Sequence, residues 1–436
     1  MNPQPEEFCQ PPAACCQRRP SDGARAPGRW VPGAWDAVVV GAGPAGCTTA
    51  ALLAGEGLRV LLLDKSPSPP PKVCGEFLSP GCLRILERIG ALRAVLAAGA
   101  RPLFGMRIHT PAGRTLQATY PREAGCRAAH GLAIPRSLLD PILLDVALKR
   151  GAEFAPNFQV SDLVWDADRV VGVRGRLHGR ARTLSARLVV GADGRNSVVA
   201  RRLGPVDRHD WLDKIALVGY VGGAMRAEDV GEVFLGRDRY CILNPIGPDL
   251  TNVGLVINRS DFQRGVEPAR LLMGAGQTLR GLRDRLAPCR PAGPVRCLGP
   301  LAHRARRLAV PGAMLVGDAA GFLDPFTGEG IHAGLRGAEL AARIALETFG
   351  RDAASCPDPD AYARAWATEF LPKWRLCLGL QHAIRHPALA EWIVSRLEPR
   401  PNLATLVMTA VGDLLPARDL GLVGLLRRLV AGSPPA

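Results

Sequence analysis

An α/β fold is predicted, with a parallel-sheet core interrupted by an antiparallel sheet and followed by a helical C-terminal region. Three observations predict it. Short apolar runs end in glycine-rich turns near residues 41, 191 and 317, residues 215 to 258 alternate apolar with polar side chains, and after about residue 351 only helical periodicity remains. With 436 residues, 47% apolar and 22% charged, the chain buries a large core in one large or two interlocked domains.

The 55 basic and 40 acidic residues leave a net charge of +15, but only five of the basic residues are lysines and the arginines are scattered. The tightest clusters, Arg304, Arg306 and Arg307, then Arg201 and Arg202, carry no interleaved aromatics, so no nucleic-acid partner is expected. Twelve cysteines are spread thinly without CxxC or zinc spacing, which points to reduced thiols in a cytoplasmic protein and to no metal site. Residues 1–33, rich in Pro, Gln and Arg, read as a disordered tail. The uncharged stretch from Ala37 to Gly55 has the length of a membrane span, but its internal glycines and proline argue against one.

Asp36 to Val40 is a buried strand leading into Gly41-Ala-Gly43-Pro44-Ala45-Gly46 and a helix, and Arg59 to Leu63 is a second strand ending at Asp64. Each part suits a dinucleotide. Gly41 permits the turn, Gly43 lets backbone approach a pyrophosphate, and Gly46 lets the helix pack on the sheet. The helix N-terminus faces the phosphates, while Asp64 accepts from a ribose diol and repels a 2′-phosphate, favouring FAD or NAD over NADP at this position. Two later segments repeat the pattern of apolar strand, glycine and aspartate: Leu188 to Ser197 with Asp193, and Leu315 to Ile331 with Asp318, Gly328 and Gly330. Parallel sheets place ligands at such strand ends.

This ordered set resembles the flavoprotein superfamily of aromatic-ring hydroxylases (p-hydroxybenzoate hydroxylase type) and geranylgeranyl reductases, over residues 34 to about 345. The resemblance implies a Rossmann-like FAD-binding domain with an inserted antiparallel β-sheet substrate domain and a helical C-terminal region. It divides the chain into a discontinuous FAD-binding domain (34–100, 130–205 and 300–350), a substrate domain (101–129 and 206–299) and a helical region (351–436). It further implies that Gly41, Gly43, Pro44, Ala45 and Gly46 cradle the pyrophosphate and that Asp64 holds the adenosine ribose, with Lys65 and Lys72 also among the FAD-binding residues. Asp193 would set the pyrophosphate region, Asp318 would bind the ribitol, and Gly328, Gly330 and Ile331 would face the flavin pyrimidine edge. Arg136, after the run Leu132 to Pro135, would contact FAD, and the backbone at Val160 would hold adenine.

The loop Lys72-Val-Cys74-Gly-Glu76-Phe-Leu-Ser-Pro80 would run beside the isoalloxazine, followed by a helix from Gly81 to Ile89. Cys74 is a candidate for contacting or shielding the flavin and Glu76 for moving a proton, against the plainer readings of a buried small residue and a helix-start carboxylate. Lys-x-Cys-Gly and Gly-Glu-Gly-Ile lean toward the reductases. His332 reads as a satisfied core residue and His303 as solvated surface. Strands are expected at Ile215 to Val221, Gly231 to Leu235, Tyr240 to Leu243 and Asn252 to Ile257, broken by Asn244 to Gly247, and a hairpin from Met106 to Tyr120 is expected to join them. Helices are expected at Ala361 to Phe370, Trp374 to Ile384, Leu389 to Leu397, Leu403 to Leu415 and Leu420 to Val430.

The functional expectation is an FAD-dependent oxidoreductase, with NAD(P)H-dependent monooxygenation of a hydrophobic aromatic or polyketide-like compound placed ahead of prenyl double-bond reduction. A non-catalytic flavin-binding protein is the third reading. No second glycine-rich nucleotide fold is evident, so NAD(P)H would dock transiently or a partner protein would supply electrons. The C-terminal helices are expected to cap the substrate domain, with a peripheral membrane contact as the alternative and no spanning helix.

Overall fold

The apolar runs Trp35–Val40 and Val60–Leu63 have almost no surface to offer water and lie inside a sheet. The computed structural model describes residues 35–121, 128–223, 229–262, 265–351 and 355–421, with positions 424, 427 and 429. The tail expected at 1–33 and most of the helix expected at Leu420 to Val430 lie outside the described residues. The parallel strands run in the order Ala313–Leu315, Arg180–Gly191, Trp35–Val40, Val60–Leu63, Glu153–Ala155. Their carboxyl ends line up, with Gly41 N donating to Leu63 O, Ala192 N to Val40 O and Val316 N to Gly191 O. The helix Pro44–Gly55 packs between helices Gly330–Arg351 and Arg136–Lys149. An antiparallel ribbon, Phe158–Asp166 with Arg169–Leu177 and the first half of Arg180–Gly191, extends the sheet. The sequence reading had not anticipated it.

The second sheet has the order Arg290–Pro291, Lys214–Gly222, Leu250–Asn258, Arg239–Pro245, Gly231–Gly236, Gly105–His109, Thr115–Thr119. The hairpin joins as expected, with Gly105–His109 parallel to Gly231–Gly236. The expected break at Asn244 does not occur. Asn244 and Pro245 continue their strand, pairing with Asn252 and Thr251, and the chain turns at Ile246. A small sheet of Phe77–Leu78, Gly131–Ala133 and Arg101–Leu103 stands apart.

The C-terminal region also departs from expectation, because Pro359–Arg385 is one helix that runs through Pro372. Tertiary contacts outweigh the lost backbone bond. Tyr362 OH donates to Leu315 O at 2.6 Å, and the buried Lys373 Nζ donates to Ala410 O and Val411 O at 2.8 Å each and to Asp413 Oδ1 at 2.7 Å. That lysine caps the helix Pro401–Val411, which stops short of the expected Leu415. The helix Gly330–Arg351 follows the last of the glycine turns. Among the described residues no helix is long and apolar enough to cross a membrane.

Replacing Lys373 with Met leaves Asp413 without its cation and two helix-end carbonyls without a donor. The expected loss is about 3–5 kcal/mol of stability, read from the urea midpoint of the full chain, and an unchanged midpoint would contradict this account of the C-terminal region.

Candidate functional site

Three glycines of the first turn do different work. Gly41 leaves its strand at φ +105°, and a Cβ there would lie 2.4 Å from Ala192 O. A Cβ on Gly46 would lie 1.8 Å from Gly41 O, so the helix meets the strand end backbone to backbone. Nothing lies within 4 Å of the Cβ that Gly43 lacks, so open space fronts the N-terminus of the helix Pro44–Gly55. Pro44 is in its first turn, and a Cβ on Gly317 or Gly334 would come within 3.0 or 3.4 Å of the Ala45 Cβ. The helix Gly330–Arg351 therefore starts beside the first, with Gly330 and Ile331 opening it.

The half-buried Asp64 accepts from Ala42 N at 2.9 Å and from Ser66 N at 2.8 Å, which sets its carboxylate over the glycine turn. Val160 is buried two residues beyond Phe158, whose N–H donates to Asp64 O at 2.8 Å. Lys65 points to the exterior, with no hydrogen bond or ion pair among the described residues. Asp193 accepts from Ser197 Oγ at 2.5 Å and Val198 N at 2.6 Å, closing the turn into the helix Val198–Leu203. Burial raises its carboxyl despite these bonds. Gly328 adopts φ +65°, and a Cβ there would strike Phe77.

Asp318 carries no side-chain hydrogen bond among the described residues. Burial raises its carboxyl, opposed by His303, Arg136, Arg195 and Lys72. Arg136 is engaged by Asp140, Nε to Oδ1 at 2.5 Å and the second fork to Oδ2 at 2.7 Å. Lys72 and Arg195 have no ion pair among the described residues, and Arg195 Nη1 is buried without a partner. His303 corrects the sequence reading. It is buried, bonded to Leu301 O at 3.0 Å and Asp318 O at 2.8 Å, and holds the turn that carries Asp318. The flanking arginines concealed this, since alternation along His303–Ala305 turns His303 inward and Arg304 outward.

The loop after Lys72 is pinned by a polar row across the second sheet. Tyr220, Asn252 and Asn244 are register partners on three adjacent strands. Asn244 Nδ2 donates to Gly75 O at 2.9 Å, and Asn252 Nδ2 donates to Cys74 O at 3.0 Å and to Glu76 Oε2 at 3.2 Å. Tyr220 OH and Arg136 N donate to Glu76 Oε1 at 2.8 and 2.9 Å. Glu76 is therefore a helix-start carboxylate, but for Arg136–Lys149 and not for the helix that follows it. Its backbone is left-handed at φ +55°, a conformation costing about 1–3 kcal/mol that these bonds hold in place. Burial raises the Glu76 carboxyl and the Cys74 thiol, the latter opposed by the neighbouring Arg136. Neither Tyr220 nor Asn252 was singled out from sequence, because only the register aligns them. His332 is half-buried, with Nδ1 3.3 Å from Asp413 Oδ2.

The open glycine, two adjoining helix N-termini, the unpaired Lys72 and Arg195 and the unbonded Asp318 fit a dinucleotide's diphosphate and polyol. Gly43→Val is expected to melt like the parent chain yet purify colourless, because its side chain meets only the groove. Gly46→Ala is expected to lower the melting temperature of the apoprotein itself, and equal behaviour of the two variants in melting and visible absorbance would refute the assignment.

The FAD binding domain family matches residues 34–355. The chain is 30% identical over 348 residues to a menaquinone reductase of Mycolicibacterium smegmatis, covering 76% of this chain and 79% of that one. It is 28% identical to digeranylgeranylglycerophospholipid reductase 2 of Methanopyrus kandleri, covering 77% and 83%. Among solved structures, the flavin-dependent brominase Bmp2 superposes with a TM-score of 0.79 at 20% identity over 91% of this chain and all of that one, a likeness of fold. A family match across most of the chain, meeting a groove built for a dinucleotide, shows that the chain belongs to the FAD binding domain family of FAD-dependent oxidoreductases.

Proposed function

We propose that this protein reduces an isolated double bond in a hydrophobic, prenyl-type substrate. The observation that carries the reading is the place of Cys74, half-buried in a loop clamped between the cofactor groove and the antiparallel sheet. Saturating a double bond adds a hydride and a proton, and bound FAD in its reduced form supplies the hydride. The chain's part is the proton. Burial keeps it on Cys74 Sγ at neutral pH, and the Tyr220, Asn252 and Asn244 row fixes where that sulfur stands.

Partly buried Val73, Met106, Ile108, Ile242, Phe322 and Phe326 line the adjoining core, which suits an apolar chain. The two reductase relatives support this order, which reverses the one read from sequence, where oxygenation stood first. In this reading Asp64 holds the adenosine ribose, Asp318 the ribitol, and Lys72 and Arg195 the diphosphate charge. Reduced nicotinamide docks transiently as the electron donor.

Anaerobic FAD-loaded protein, given NADPH or dithionite with a prenylated lipid, is expected to yield product heavier by two hydrogens in mass spectrometry. Product heavier by one oxygen, formed only in air, would overturn the reductase reading in favour of oxygenation. Absence of turnover with either donor would leave a flavin-binding protein. Cys74→Ala should lower the reduction rate about 10²–10⁴-fold with flavin content unchanged. An unaltered rate would remove Cys74 as the proton source.

A further inference from the structure

Beneath the cofactor groove lies a set of buried ionisable groups that the loop chemistry does not use. At its centre is Glu329, 5% exposed, whose carbonyl accepts the Ala333 N–H at 2.7 Å and so caps the first turn of the helix Gly330–Arg351. Its carboxyl feels the charges of Lys373 from the helix Pro359–Arg385, Asp413 from the turn after Pro401–Val411 and Asp324 from its own loop, which also carries Thr327, and it acts in turn on Cys377. His332, in the same first turn, faces Asp413, Lys373, Glu369 and Arg336. Asp324 in turn takes bonds from Tyr240 OH and from Gln381 Nε2 at 2.7 Å, with Lys214 and Asp238 beyond.

The nearby lysine is already committed. All three N–H groups of Lys373 point at Ala410 O, Val411 O and Asp413 Oδ1, which leaves no donor for Glu329. An ionised Glu329 would thus be a buried carboxylate beside Asp413 and Asp324, offset by the charge of Lys373, by Thr327 and by the helix start. That same helix packs against the one that starts behind Gly43, because Gly334 and Gly317 both meet Ala45.

We propose that Glu329 takes up a proton when the bound FAD is reduced. An external donor that delivers two electrons and one proton to the ring leaves one added negative charge in the groove. A second proton, drawn from solvent, forms an O–H bond on Glu329 and restores the charge balance around the shared helix N-terminus. Burial, moderated by Lys373 and reinforced by Asp413 and Asp324, pushes the Glu329 carboxyl up to about 7, so a modest added charge changes its state. The inference requires bound FAD and is independent of whether the substrate is reduced or oxygenated.

Potentiometric titration of the FAD-loaded full chain, with dithionite as reductant and across neutral pH, tests it. The parent protein should show a bend near pH 7, from a slope of one proton per two electrons below it to two protons above it. Glu329→Gln should keep the one-proton slope throughout. Asp413→Asn, which removes a charge that raises Glu329, should move the bend to lower pH and decides the matter if the glutamine variant folds poorly. Superimposable slopes in the parent and Glu329→Gln, or an unmoved bend in Asp413→Asn, would overturn the proposal. Colourless parent protein would overturn the cofactor assignment itself and this inference with it.

Discussion

The groove depends on one close approach, that of the helix Pro44–Gly55 to the end of the strand Trp35–Val40. Backbone meets backbone there because Gly46 offers no Cβ to the Gly41 carbonyl and Gly41 offers none to Ala192. The approach brings a helix N-terminus to the carboxyl ends of the parallel strands, where Asp64, Asp193 and Asp318 follow their own strands. Each acid meets the same crevice for the same reason, since a parallel sheet points all its carboxyl ends one way. A second helix start, at Gly330, reaches the crevice through the packing of Gly317 and Gly334 on Ala45. The family's cofactor chemistry follows from this arrangement of donors and charge.

The antiparallel sheet contributes order more than reactivity. Its row of Tyr220, Asn252 and Asn244 takes up carbonyls and a carboxylate that the loop from Cys74 to Glu76 would otherwise leave unsatisfied in a buried place. Those bonds hold Glu76 in a left-handed backbone. They also carry the amide of Arg136 into the same network, so the loop, the helix Arg136–Lys149 and the second sheet share one hydrogen-bonded junction. A displacement of that sheet would move Cys74 with it.

The C-terminal helices join the site by a polar stripe and not only by apolar cover. Lys373, Cys377 and Gln381 recur at helical spacing along Pro359–Arg385 and face the segment from Asp324 to Glu329. One end of the stripe fixes Asp413 and the end of the helix Pro401–Val411, and the other fixes Asp324. The charge environment of the second helix N-terminus is therefore set by residues far along the chain.

The sequence by itself determined the α/β class, the three glycine and aspartate turns, a hairpin from Met106 to Tyr120 and the FAD family. Those signals are local, because a strand end, a tight turn and a helix start lie within a few residues of one another and only glycine serves the turn. Tertiary structure alone decided that Pro359–Arg385 passes through Pro372, that His303 points inward beneath Asp318, and that Tyr220, Asn252 and Asn244 stand in one row. It also decided what Glu76 does, since its partners come from the helix at Arg136 and from two strands of the second sheet. Register and burial are properties of segments that meet in space, and a buried hydrogen bond between them overrides the local preference of a proline, a histidine among arginines or a glutamate at positive φ.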